Sequence, residues 1–210
     1  PYTTLFRSYD FGRTKLIWVS PGFRGTLTLP DGLREIETLA FCCGSGLEKL
    51  VFPEGLGTVS TSLFGSCEAL NEIVLPESDL SFDLSGNLLT SKDGSTLVLC
   101  LRCAEETVRV PEGTRVILEN AFSSCRNVSE IILPDSVAFL MSNAFENCTG
   151  LTNLTIPAVN MIGPHAFKGC TSLQNLYFSG TEEAWESLTS RIDIGIDPER
   201  TSVHCLKEAD

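Results

Sequence analysis

The stretch NAFENCTGLTNLTIP, residues 143–157, returns 22 residues later as HAFKGCTSLQNLYFS, residues 165–179, and this near-copy decides how the chain is read. Self-similarity at a fixed spacing marks a repeat array, in which each unit buries its apolar face against its neighbours. Working outward, the dipeptides AF, LF, AF, AF and AF place Phe41, Phe64, Phe122, Phe145 and Phe167 in one column, at spacings of 23, 58, 23 and 22. A second column of Pro30, Pro53, Pro76, Pro111, Pro134 and Pro157 has spacings of 23, 23, 35, 23 and 23, so one unit carries a 12-residue insertion (35 − 23).

Each unit reads Ala-Phe-x-x-Cys-x-x-Leu-x-x-Leu-x-Leu-Pro. Its last part alternates apolar and variable residues with the period of a strand. The inward pairs are Leu27/Leu29, Leu50/Phe52, Ile73/Leu75, Val108/Val110, Ile131/Leu133, Leu154/Ile156 and Leu176/Phe178. They predict seven short strands stacked in parallel. Proline then ends each strand, because it has no N–H to donate, and PDG, PEG, PES, PEG and PDS read as turns with Pro at the second position. A second apolar pair, such as Leu33/Ile36 or Leu56/Val59, leads back to the Phe column, which is expected inside the coil as a ladder of rings.

Six prolines and five phenylalanines in register make the chain resemble the BspA-like, or treponemal-type, leucine-rich repeat family over residues 27–180. The resemblance implies a mainly β, right-handed solenoid of short parallel strands with a turn or short-helix convex side. It also implies a place on the surface of bacteria or protists and a role in adhesion or protein binding. The domain organisation expected is a lead-in over residues 9–26, the array over 27–180 with a hairpin insertion at about 77–107, and a C-terminal cap over 181–210. The opening octapeptide PYTTLFRS, residues 1–8, lacks Met and matches a reading frame through a common sequencing adaptor, so it is expected to be an artefact outside the native fold.

Within the insertion, GNLLTSKDGSTLVLCL, residues 86–101, has two β-rich runs around Asp93-Gly94, a strong hairpin signal. A protruding hairpin is expected. At the far end, SGTEEAWESL predicts a capping helix with Thr181 as N-cap, Glu182 and Glu183 in its first turn, and Trp185 with Leu188 on one face as the plug. TSVHC, residues 201–205, suits a final strand.

Composition narrows the function. The 210 residues are 42% hydrophobic and 20% charged, enough for a folded array, and the net charge of −12 opposes binding to a phosphate backbone. No apolar run has the length of a membrane span. The nine cysteines are an odd number, and Cys67, Cys125, Cys148 and Cys170 share one repeat position, so they read as buried thiols donating to turn carbonyls. Cys42, Cys43 and Cys205 complete the count with CLRC, Cys100 to Cys103, a lone C-x-x-C whose thiols would point to opposite faces of a strand. The only histidines, His165 and His204, are far apart in the array, so neither a Cys/His metal site nor a His-dependent triad assembles. No phosphate-binding glycine loop occurs. Sequons at Asn127, Asn147 and Asn153 read as repeat consensus.

Taken with the resemblance, which is what implies the surface location and the binding role, these observations lead to a non-catalytic, cofactor-free, monomeric protein-binding module at the cell surface or outside the cell, with no contact to nucleic acid or membrane. The alternatives are a structural spacer and an accessory domain of a larger surface enzyme. The candidate binding stripe is the outward strand row Thr28, Val51, Val74, Arg109, Ile132, Thr155 and Tyr177, flanked by Lys49, Glu72, Glu130, Asn153 and Asn175. Four of the seven stripe residues are apolar, as a partner-covered strip would be.

Overall fold

A computed structural model describes residues 7–37, 40–41, 46–56, 64, 67, 69–77, 81–102 and 105–208. Residues 1–6, Val59, Cys42, Cys43 and Cys103, all singled out above, lie outside the described residues. The chain forms a mainly β solenoid with one short helix. Alternation of apolar residues on the main strands buries one side of each strand, and the corner prolines stop each strand so that the next segment turns away.

The main sheet comes in two blocks. Strands β3 (Gly25–Thr28), β5 (Leu47–Val51) and β6 (Glu72–Val74) pair in parallel, as do β10 (Thr107–Arg109), β12 (Glu130–Ile132), β14 (Asn153–Ile156), β16 (Asn175–Phe178) and β17 (Ser202–Cys205). The strand expected from TSVHC is β17. The seven expected strands therefore do not form one ladder, because β6 and β10 do not pair. Between them, the Arg102 N–H donates to the Leu70 carbonyl at 3.2 Å.

Corner geometry differs from the expectation. The Pro30 and Pro111 carbonyls accept from the Leu33 and Thr114 N–H groups, so proline is the first residue of each turn, not the second. Gly32 and Gly113, third in those turns, take φ of 86° and 89°, which a side chain would resist.

After the corners at Pro30, Pro111, Pro134 and Pro157 a second short strand follows: β4 (Glu35–Ile36), β11 (Val116–Ile117), β13 (Phe139–Leu140) and β15 (Met161–Ile162). β4 pairs with β2 (Lys15–Val19), which also takes β1 (Arg7–Tyr9) antiparallel, so Arg7 and Ser8 of the opening octapeptide sit in a strand. The other three join β7 (Phe82–Ser85), β8 (Leu88–Ser91) and β9 (Thr96–Cys100) in a six-stranded sheet.

The insertion is not a protruding arm. β8 and β9 form the predicted hairpin, but β9 continues into the second sheet by pairing with β11. Leu88, Leu97 and Cys100 face the core of the C-terminal units, while Leu89, Val98, Leu99 and Leu101 face that of the N-terminal units. The hairpin is thus a septum with both faces covered. Its turn also departs from the two-residue type expected, since only Gly94 has positive φ. Gly94 N–H closes a turn onto the Ser91 carbonyl, and the Asp93 carboxylate accepts from the Ser91 hydroxyl and from the Ser95 N–H and hydroxyl. These donors hold the Asp93 carboxyl down at about 2.

Inside the coils the rings stack as expected. Phe122 and Phe145 lie 5.1 Å apart at 9°, Phe145 and Phe167 5.5 Å at 15°, and Phe41 and Phe64 6.5 Å at 11°. All five are buried. In the C-terminal units the backbone of the ring residue binds the next rung: Phe122 N–H donates to the Ala144 carbonyl, Phe145 to Ala166 and Phe167 to Ile194. At the septum rung Cys100 N–H donates to Ala121 in the same way, so Cys100 occupies the ring position.

Three features close the C-terminal end. Helix α1 (Glu182–Thr189) is capped by the Thr181 hydroxyl, which accepts from Ala184 N–H at 3.3 Å, with Glu182 and Glu183 in its first turn. Trp185 packs on Phe178 at 5.3 Å and is half-buried. The column of rings itself is covered by buried Ile194, and β17 covers the main sheet. The plug expected of Trp185 alone is shared.

Replacing Phe145 by Ala, between two stacked rings, is expected to cost about 3–5 kcal/mol in urea unfolding. Phe139→Ala, on the exposed side of the second sheet, should cost under about 1 kcal/mol. Similar losses at the two positions would contradict the stacked interior.

Candidate functional site

The stripe expected from the sequence is present as two in-register rows. Thr28, Val51 and Val74 align on β3, β5 and β6, and Arg109, Ile132, Thr155 and Tyr177 align on β10, β12, β14 and β16. The unpaired rung separates them. The rows are well fixed because each inward neighbour, from Leu27 to Leu176, is buried and a slip of one residue would exchange the two faces. Thr28, Val74 and Arg109 are exposed, and Val51, Ile132, Thr155 and Tyr177 are half-buried.

One residue was missed. His204 continues the second row on β17, paired with Tyr177, and the two rings stack at 5.0 Å and 21°. Reading TSVHC as a strand with Val203 inward would have put His204 on the stripe.

The flanking residues form a second row. Lys49 Nζ meets Glu72 Oε1 at 2.7 Å, and the Thr107 hydroxyl donates to Glu130 at 3.3 Å. Asn175 Nδ2 donates to Asn153 Oδ1 at 2.9 Å, and His204 Nε2 lies 3.2 Å from Asn175 Oδ1. The Asn153 amide donates in turn to the Thr152 hydroxyl at 3.1 Å. This asparagine ladder sits on an exposed sheet and is held by side chains on successive strands.

His165 takes no part. It lies on the turn side with φ of 57°, in a column of left-handed residues with Asn120 and Asn143, and its Nδ1 is 3.7 Å from Asp193. A parallel column, Ser124, Asn147 and Gly169, follows each ring residue. Asparagine tolerates this conformation better than most residues, which explains the Asn147 sequon as backbone geometry.

The cysteines behave as expected of the repeat position. Cys148 Sγ donates to the Phe122 carbonyl at 2.9 Å and Cys170 Sγ to the Phe145 carbonyl at 3.0 Å. Cys125 Sγ makes the equivalent contact with the Cys100 carbonyl at 3.7 Å. Cys67, Cys100, Cys125, Cys148, Cys170 and Cys205 are all thiols that form no disulfide among the described residues. CLRC therefore contributes at least one structural position of a repeat, the ring position at Cys100. Among the described residues no group of three His, Cys, Asp or Glu side chains is arranged to hold a metal ion, and no helix is long and apolar enough to cross a membrane.

Cys125 differs from its column. Arg102 is buried at 7% exposure, and its Nη1 lies 3.3 Å from the Cys100 carbonyl and 3.5 Å from Cys125 Sγ. Among the described residues its Nε and Nη2 have no hydrogen-bond partner. The hydrogen bond from the Cys100 thiol, with the nearby guanidinium, lowers the Cys125 thiol from 9.0 to about 7 despite its burial. Burial instead pushes Cys67 up to about 12.

The family model for the BspA type leucine rich repeat region matches six copies over residues 24–85 and 100–189. Among solved structures, a leucine-rich repeat protein from Eubacterium ventriosum is 19% identical with a TM-score of 0.72, covering 87% of this chain and 54% of its own. The pneumococcal vaccine antigen PcpA is 18% identical with a TM-score of 0.53, covering 79% of this chain and 54% of its own. The chain thus spans about half the length of each, and both likenesses are of fold. No curated protein sequence matches.

Two outcomes follow from the thiols. A depressed pKa means that ionised Cys125 stabilises the fold fully above the unfolded value of 9.0 and that this contribution is lost as pH falls through about 7. Thiolate absorbance should therefore titrate near 7 in the folded protein, disappear from that range in Cys125→Ser and move upward in Arg102→Met. Thermal melting with a reductant and a chelator together should leave Tm unchanged; a large fall under either agent would contradict the structural role of the thiols.

Proposed function

Since the chain belongs to the BspA-type leucine-rich repeat family, we propose that it is a non-catalytic protein-binding module of a bacterial surface protein, with the partner lying along the outward row of the main sheet. The observation that carries this reading is the register of Arg109, Ile132, Thr155 and Tyr177 on four adjacent strands. Such a row is a preorganised surface whose binding costs little ordering of side chains. Tyr and Arg dominate binding energy at many interfaces, so Tyr177 and Arg109 are the strongest contacts. The net charge of −12 favours a neutral or basic partner and salt-sensitive association.

The test is capture of a partner from the surface proteome of neighbouring or host cells, followed by affinity measurement with variants. Tyr177→Ala and Arg109→Ala are each expected to weaken binding about tenfold or more. Lys168→Ala and Arg126→Ala, on the turn side, should leave it unchanged. The reverse pattern would move the binding face away from the main sheet.

A further inference from the structure

The C-terminal corner of the main sheet holds a groove of about 420 Å³ lined by Asp135, Pro157, Ala158, Ser179, Leu206 and Lys207. Its position is set by the same alternation that makes the stripe. Pro157, Ser179 and Leu206 each follow Thr155, Tyr177 and His204 by two residues, and the rung-to-rung bonds continue there, from Ser179 N–H to Ile156 and from Leu206 N–H to Phe178. The groove therefore adjoins, just past the strand ends, the row that carries the stacked rings of Tyr177 and His204.

Three features of this corner specify a ligand chemistry. The first is a ring face with no aromatic neighbour, among the described residues, on its Thr155 side. One side of Tyr177 lies against His204, and the other side has Thr155 as its ladder partner, a side chain too short to cover a phenol ring. The second is a set of fixed neutral hydrogen-bonding groups. Asn153 and Asn175 each use one contact of the amide nitrogen within the ladder, which leaves each a second N–H to offer a ligand. The third is the absence of net charge at the groove, where Asp135 and Lys207 offset each other in a molecule of net charge −12.

A charged ligand would find no excess counter-charge here, and a purely apolar one would leave the amides without partners. A sugar ring satisfies all three features. Its C–H face packs on an aromatic face, and its hydroxyls both donate to and accept from amides. We propose that this corner binds a neutral pyranose, presented as the terminal sugar of a surface glycan, with its C–H face on Tyr177 above Thr155, its hydroxyls on Asn153 and Asn175, and its aglycone in the groove beside Leu206. The assignment rests on the reading of the main sheet as the binding face and names the ligand class at one end of it.

The probes are the methyl glycosides of glucose, galactose, mannose, N-acetylglucosamine and N-acetylgalactosamine, measured by saturation-transfer NMR and calorimetry on the whole chain. At least one should bind with Kd in the millimolar range or tighter. Tyr177→Ala should weaken it about tenfold or more, while Tyr177→Phe, which keeps the ring, should retain it. Asn175→Ala should weaken it as well. Lys168→Ala, on the turn side, and Phe139→Ser, on the second sheet, should bind as the parent does. Circular dichroism melts establish that each variant is folded. Absence of saturation transfer from every glycoside, or binding that survives both Tyr177→Ala and Asn175→Ala, overturns the assignment. A captured protein partner that depends on Tyr177 and Arg109 but binds equally after enzymatic removal of its glycans also overturns it, and leaves the protein-binding reading intact.

Discussion

Everything in this molecule depends on backbone pairing from one coil to the next at the ring position. No coil could bury its own apolar residues. When Phe145 N–H reaches the Ala166 carbonyl, it fixes the spacing at which Phe145 and Phe167 stack, and the main and second strands follow from that spacing. The thiol column depends on the same pairing, since Cys170 Sγ can reach the Phe145 carbonyl only when the two coils are in register. A directional bond thus sets the register, and a non-directional force, burial of the rings, supplies the larger part of the stability.

The insertion tests how far that register can bend. β8 and β9 enter the stack as a two-faced partition, and the second sheet runs on through β9 into β11. The main sheet is interrupted, and at the interruption lies a buried guanidinium, two of whose nitrogens have no partner among the described residues. Burying a cation is costly unless its donors are satisfied, which makes this rung a demanding one. The proposed binding row is divided at the same place. Its longer half, from Arg109 to His204, is the half with unbroken pairing.

Much of this architecture was legible in the chain. The Phe and Pro columns are one-dimensional images of the stack, and Thr181 with its two following glutamates marks the capping helix without any tertiary information. What escaped was non-local. Asp93-Gly94 correctly signals a hairpin, but whether a hairpin projects or is buried depends on what meets its faces. The unbroken apolar run Leu97–Leu101 was the signal of burial on both sides. Cys100 was hidden for a different reason: counting back 12 residues from Pro111 gives Leu99, whereas the hydrogen bond to Ala121 puts Cys100 in the ring position, one residue out of step. At the candidate site, the row was readable from alternation alone. The stacking of Tyr177 on His204 needed the pairing of β16 with β17, which joins segments separated by the helix.

The way the thiols are satisfied also bears on how such an array can change in length. A framework of disulfides ties units together in pairs, so the loss or gain of one unit strands a partner and invites mispairing. Here Cys125, Cys148 and Cys170 each engage a carbonyl of the preceding coil. Deleting or duplicating a unit leaves no cysteine without its acceptor, so an odd number is no handicap. Because copies such as residues 143–157 and 165–179 keep the same Phe and Cys positions, an array of this kind can gain or lose a unit, and so lengthen or shorten its sheet, without a change in its redox chemistry.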